Sequence, residues 1–168
     1  MKEIVPEMGT PYNALKTNIG FMLNKPIGFS RDFSLAYDEI RISSDLEVRN
    51  LKSDYRLSRT QEGLLFQGTV SGEIDTQCAR CLEPASVQVK AEIDEIYFFP
   101  DRVHDESEQV IPEDGYIDLG NVFRDYLLLE MPINSLCKPD CKGICTECGQ
   151  NLNLAECEHT NGRIIFDA

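Results

Sequence analysis

The sequence predicts an α+β fold: an antiparallel β meander, or partial barrel, with one packed helix and a cysteine-rich tail. Three observations predict it. Residues 46 to 99 alternate apolar and polar side chains in three stretches separated by turn signals, the period of half-buried strands. Residues 118 to 130 switch to a helical period. Five of the seven cysteines then fall between Cys137 and Cys157.

In chain order, residues 1 to 32 form an N-terminal lead-in, in which "YNALKTNIGFML" reads as a short helix or an extended segment. Residues 33 to 134 read as the sheet and helix core. In "DLEVRNLKSDYRLSR", Leu46 and Val48 share one parity and Leu51, Tyr55 and Leu57 the other, so a bulge is expected near Arg49 and Asn50. "TQEG" is a turn. Next, Leu64, Phe66, Val70 and Ile74 share a face with Gly68 and Gly72, where something packs close to the backbone. This strand runs into "CARC", the tip of the meander. A third strand follows, with Val87, Val89, Ala91, Ile93, Tyr97 and Phe99 alternating against Gln88, Lys90, Glu92 and Asp94. Residues 100 to 118 form an acidic connector, either a solvated loop or a surface for a basic partner. Asp118 is the expected N-cap of a helix through Val122, Phe123, Tyr126 and Leu127, stopped by Pro132 and packed on the inner face of the meander. The tail spans residues 135 to 168, packed on the core, and "RIIFD" reads as a short final strand.

Composition narrows the function. The net charge is −13, with 16 basic against 29 acidic residues, leaving little for neutralising phosphates. A basic protein partner suits this balance better. The longest aliphatic run, "YLLL", is far short of a membrane helix, and the N-terminus has no apolar export core. The expected location is the reducing cytoplasm, where stable disulfides are uncommon.

"CARC" and "CTECG" are both C-x-x-C units, a spacing that aims two thiolates at one ion. Gly149 suits the positive φ that such a turn needs. Each unit supplies two ligands and a closed tetrahedral zinc site needs four. Seven cysteines and His159 make two such sets. Cys145, Cys148, Cys157 and His159 form a local set, and Cys78, Cys81, Cys137 and Cys141 form a long-range one. The tail thus reads as a zinc knuckle, with two structural Zn²⁺ sites as the preferred reading and one as the variant. Closing the interval from Cys81 to Cys137 costs about 3 to 4 kcal/mol plus a constant. Structural zinc supplies on the order of 10 to 16 kcal/mol. Three rivals stand beside this reading. One is a single compact site of Cys137, Cys141, Cys145 and Cys148. The others are an iron–sulfur centre and redox thiols. His104 has no partner spacing.

Neither proposed zinc site leaves a coordination position open for water, and no nucleophile–base set is visible, so no enzyme is expected. No small-molecule substrate is evident either. For RNA contact, the best basic and aromatic cluster is Arg49, Lys52, Tyr55, Arg56 and Arg59, which reads equally well as the solvated face of an edge strand.

Three ordered blocks, "CARCLEP", "IDLGNVFRDYLLLEMPI" and "LCKPDCKGICTECGQNLNLAEC", resemble the YceD family, the large ribosomal RNA subunit accumulation proteins of bacteria and plastids. The likeness covers about residues 30 to 160. Members with the tail cluster often end it in C-x-C; here the position is Cys157, Glu158, His159. The resemblance implies a role in accumulation or maturation of large-subunit (23S) ribosomal RNA, hence in ribosome biogenesis. Family genes often neighbour one for a small basic large-subunit ribosomal protein. The implied role is a non-catalytic assembly factor that binds such a protein or a pre-ribosomal particle. Direct binding of ribosomal RNA is the alternative, and a thiol–disulfide protein using Cys78 and Cys81 a weaker one.

Overall fold

A computed structural model describes residues 14 to 159 apart from Ser107. The elements in order are β1 (Lys16–Asn18), α1 (Gly20–Leu23), β2 (Ser30–Ser43), β3 (Leu46–Arg59), β4 (Gly63–Gln77), β5 (Pro84–Phe98), a 3-10 turn (Pro100–Arg102), β6 (Gln109–Val110), β7 (Tyr116–Asp118) and α2 (Gly120–Leu129). The main sheet has the order β2-β3-β4-β5-β6, and β1 and β7 form a second, two-stranded sheet. β2 and β3, and β3 and β4, pair antiparallel, whereas β5 and β6 are parallel. The result is a mainly-β, mixed architecture with few helices. The sheet runs from β2 to β6 and does not close into a barrel. No described helix is long and apolar enough to cross a membrane.

The chain divides into two compact units. The first runs through Ile74 and resumes at Gln88–Met131; the second takes Asp75–Val87 and the chain from Pro132 onward.

In the first unit, β3 and β4 follow the expected parity. Leu57, Leu64, Phe66 and Val70 are all buried. The pairing register of β3 on β4 shifts between Arg49 and Lys52, and Asn50 takes φ 52°, which is the expected bulge. A Cβ at Gly68 would lie 2.4 Å from the Tyr55 Cβ, and one at Gly72 only 2.3 Å from Val48 Cγ1, so both positions need glycine. The rings of Phe33, Tyr55 and Phe66 stack at 5.1 and 4.7 Å, and Phe66 meets Phe123 of α2 edge-on at 6.3 Å. This aromatic ladder seats the helix on the inner face of the sheet.

Three expectations shift. The N-cap position of α2 is Leu119 rather than Asp118. Asp118 closes β7, and its Oδ1 accepts the N–H of Gly120 at 2.8 Å. The lead-in is also partly core: Leu15, Ile19 and Met22 are buried, and β1 pairs with β7. The acidic connector is likewise structured, since Glu108 Oε2 accepts the N–H groups of His104 and Asp105 at 2.8 and 3.3 Å. The expected "RIIFD" strand lies outside the described residues.

The second unit has a different interior. Among its described residues the buried apolar ones are Cys78, Cys81, Cys141, Cys145 and Leu152. Ala85, Leu136 and Ile144 pack around the first three. Sulfur occupies the place where aliphatic side chains would form a core.

Candidate metal centres

Both C-x-x-C units sit at hairpin tips. Cys78 to Cys81 occupy the connection from β4 to β5. Cys145 to Cys148 cap a short hairpin made by the Ile144–Asn151 bridge and the Leu152 N–H to Gly143 carbonyl bond of 2.9 Å. The two turns repeat each other bond for bond. Leu82 N–H donates to the Cys78 carbonyl at 2.9 Å, as Gly149 N–H does to Cys145. Cys78 N–H donates to the Glu83 carbonyl at 2.8 Å, as Cys145 N–H does to Gln150. The residue after the second cysteine is left-handed in both, Leu82 at φ 62° and Gly149 at φ 74°.

Around these turns the donors gather in two groups, Cys78 with Cys81, Cys137 and Cys141, and Cys145 with Cys148, Cys157 and His159. Within each group the ligand atoms all lie within 4.8 Å of one another. In the first, Cys78 Sγ is 3.7 Å from Cys141 Sγ, and Cys81 Sγ is 3.6 Å from Cys137 Sγ. A tetrahedron with metal–sulfur bonds of 2.3 Å has edges of about 3.8 Å, so one ion at the centre fits. The compact alternative, Cys137 and Cys141 with Cys145 and Cys148, is not the grouping that forms.

Residues 66–167, well over half of the chain, match the family model for large ribosomal RNA subunit accumulation protein YceD. The chain belongs to the YceD family. An uncharacterised protein of Mycobacterium tuberculosis is 36% identical over 108 residues, 61% of this chain and 51% of the relative. One from Mycobacterium leprae is 32% identical over 115 residues, 66% and 52% of the two chains. A chloroplastic large ribosomal RNA subunit accumulation protein YCED homolog of Arabidopsis thaliana is 43% identical over 47 residues, 28% of this chain and 15% of the relative. The chain spans about half the length of the mycobacterial relatives it matches. No solved structure matches it at a significant level. The YceD match contains all eight donors and begins after β3.

The electrostatics of this YceD protein's clusters suit a cation. At Cys78, burial pushes the thiol up, but the N–H groups of Cys137, Cys81 and Arg80 outweigh it and bring the pKa down to about 6. The N–H groups of Cys148 and Glu147 bring Cys145 to about 6 as well. The Cys137 sulfur, desolvated within the cluster although the residue is otherwise exposed, is pushed up to about 12, with the sulfurs of Cys81, Cys141 and Cys78 crowded against it. Thiolates this close repel one another, and a divalent ion is what lets a whole group ionise.

Outside the ligands, four hydrogen bonds hold the clusters that spacing alone could not reveal. Arg80 Nη1 donates to the Cys141 carbonyl at 3.1 Å, and the Arg80 carbonyl accepts the Ile144 N–H at 3.1 Å. Asn153 Nδ2 donates to Cys141 Sγ at 3.4 Å. Asn151 Nδ2 donates to Glu83 Oε1 at 3.2 Å.

The residues considered for RNA contact do not form one basic and aromatic surface. Tyr55 is buried, 3% exposed, with its hydroxyl 2.7 Å from Thr17 Oγ1. Its shared parity with Leu51 and Leu57 already marked the inner face. Arg49 pairs with Glu73 at 2.9 Å and Arg56 with Asp32 at 2.7 Å. Arg59 lies over the Phe99 ring at 4.2 Å, and Lys52 is exposed between Ala36 and Ser71. His104 joins neither cluster.

Proposed function

We propose that this YceD protein is a non-catalytic factor in large-subunit ribosomal RNA accumulation, stabilised by two structural zinc ions, that acts by binding a basic ribosomal protein or a pre-ribosomal particle. One observation carries the zinc part. Among its described residues, the second unit has a single buried apolar residue, Leu152, besides its cysteines, so ions would complete most of the core these residues share. Sulfurs 3.6 to 3.7 Å apart support one ion in the first group, and donors within 4.8 Å of one another suit one in the second. A multi-iron cluster would spread its cysteines over several metal atoms and hold their sulfurs farther apart. Four protein donors per ion leave no position for substrate or water, which supports a structural role. The thiol–disulfide reading has less support, because Cys78 and Cys81 approach Cys141 and Cys137 as members of a four-sulfur group.

The choice of a basic partner rests on the net charge of −13. The RNA alternative loses its aromatic member with Tyr55 in the core, and Arg49 and Arg56 face carboxylates. Cysteines gathered as metal ligands suit a reducing compartment, so the proposed location is the cytoplasm. The test is a tagged pull-down from growing cells, split into ribonuclease-treated and untreated halves, with metal content measured on the purified chain. A basic large-subunit protein that persists after ribonuclease supports the reading, as do two zinc ions per chain. Loss of everything bound together with the RNA sinks the protein-partner reading and returns attention to β3.

A further inference from the structure

The first cluster carries more charge in a drier place than the second. A divalent ion with four thiolates has two net negative charges; with three thiolates and a neutral imidazole it has one. Cys78, Cys81 and Cys141 are at most 4% exposed and only Cys137 is exposed, whereas in the second cluster Cys145 alone is buried and Cys148 and His159 are exposed. A buried dianion of this kind needs N–H donors aimed at its sulfurs.

One of those donors is not local. Asn153 lies between Cys148 and Cys157, on the loop that the second ion closes, yet its amide reaches Cys141 of the first cluster. The amide is fixed by its other bonds. Oδ1 accepts the Lys142 N–H at 2.9 Å, so the NH₂ end faces the sulfur. That nitrogen divides its two hydrogens between Cys141 Sγ and Asn151 Oδ1, the latter at 2.9 Å. Asn151 accepts the Asn153 backbone N–H at 3.0 Å on the same oxygen and donates to Glu83, two residues beyond the first C-x-x-C unit. The loop belonging to one ion is thus hydrogen-bonded to the surroundings of the other.

We infer that Asn153 is a positioning residue that couples the two metal sites: closing the second site seats its amide on Cys141 and thereby tightens the first. This rests on the metal reading above. The coupling is reciprocal, as any equilibrium linkage must be, so filling the first site also tightens the second. Outer-shell partners of metal ligands typically contribute 10- to 100-fold in affinity, which sets the expected size.

The experiment titrates Co²⁺ into the full reduced chain. The ligand-field bands distinguish the four-sulfur site from the three-sulfur, one-nitrogen site, and a competing chelator gives each affinity. Asn153→Ala should weaken the four-sulfur site by about 10- to 100-fold. Cys157→Ser, which disables the second site, should weaken the first by a similar factor. The double variant should lose no more than either single one, because both remove the same contact. Asn153→Asp guards against simple loss of folding, since it keeps the acceptor for Lys142 N–H and places an anion where the donor stood. It should weaken the first site at least as much as Asn153→Ala. Unchanged first-site affinity in Asn153→Asp, or additive losses in the double variant, would overturn the inference. Failure of the unmodified chain to bind Co²⁺ at the four-sulfur site would instead overturn the metal reading itself.

Discussion

The two clusters use one turn for two purposes. Each is built on a C-x-x-C hairpin tip with the same pair of backbone hydrogen bonds and the same left-handed residue behind the second cysteine. Around that shared turn almost everything else differs. The first cluster joins residues 56 positions apart and is the interior of its unit. The second gathers donors within the tail, buries one of its four donors where the first buries three, and replaces one thiolate with an imidazole. The ligand turn is therefore a local property of six residues, while the role of the site is set by what the other two ligands tie to it. A long-range pair makes a core; a nearby pair closes a loop.

Removing both ions should erase the difference, and it is the largest effect expected. Structural zinc contributes on the order of 10 to 16 kcal/mol in small domains. After chelation, limited proteolysis should cut freely at residues 78 to 83 and 132 to 159, while the first unit, residues 14 to 74 and 88 to 131, stays protected by its aromatic ladder. A chelated chain with an unchanged digestion pattern would show that the second unit stands without metal.

Single ligands should then separate the two roles. Cys78→Ser and Cys157→Ser should each reduce bound metal from two ions to one. By amide hydrogen exchange, Cys78→Ser should open the whole second unit, costing roughly 4 kcal/mol or more, in the range reserved for loss of a metal. Cys157→Ser should expose mainly residues 142 to 157. Matching exchange maps for the two variants would mean that the clusters are one device.

The shared turn is tested by swapping its left-handed residues. That conformation costs a side-chain-bearing residue roughly 1 to 2 kcal/mol, of which glycine's greater chain entropy returns about half. Leu82→Gly should therefore raise stability, and Gly149→Leu lower it, by nearly equal amounts of up to about 1 kcal/mol in denaturant melts of the metal-loaded chain. Leu82 is 60% exposed, and a Cβ at Gly149 meets nothing within 4 Å, so packing does not obscure the comparison. Shifts of the same sign would show that the turns are alike only in outline.

The smallest effect is expected from His159→Cys, which gives both clusters the same donor set. Two metals should still bind, with sulfur-to-Co²⁺ absorption rising as eight thiolates replace the seven present in the natural chain. Loss of the second ion in this variant would mark the imidazole as specifically required.

The strands β3 to β5 were legible because their period-two alternation is produced by burial on one face, and that face is the one Phe66, Val70 and Val89 occupy. The ligand grouping was legible because C-x-x-C spacing and the count of donors constrain it. β1 and α1 were legible only as an open choice between helix and extended chain, since three residues paired with Tyr116–Asp118 leave no local periodic signal. Asn153 was invisible for a related reason: its partner Cys141 is chosen by the folded path of the tail. Leu82 could have been found by laying "CARCLE" over "CTECGQ", which sets a leucine where the other turn has glycine. Tyr55 was read by its neighbours in sequence, and its parity said more than its chemistry.

The long reach of the first cluster has a consequence during synthesis. At about 5 to 20 residues per second, the 56 residues from Cys81 to Cys137 take roughly 3 to 11 s to emerge. The second cluster, from Cys145 to His159, emerges within about 1 to 3 s of its first ligand. For those first seconds "CARC" stands on the nascent chain as a two-thiol half-site, open to whichever soft ion or oxidant arrives. The order in which ribosome and metal supply meet this chain is thus written into the spacing of its cysteines, and the turn at Cys78 is where a wrong ion would be caught first.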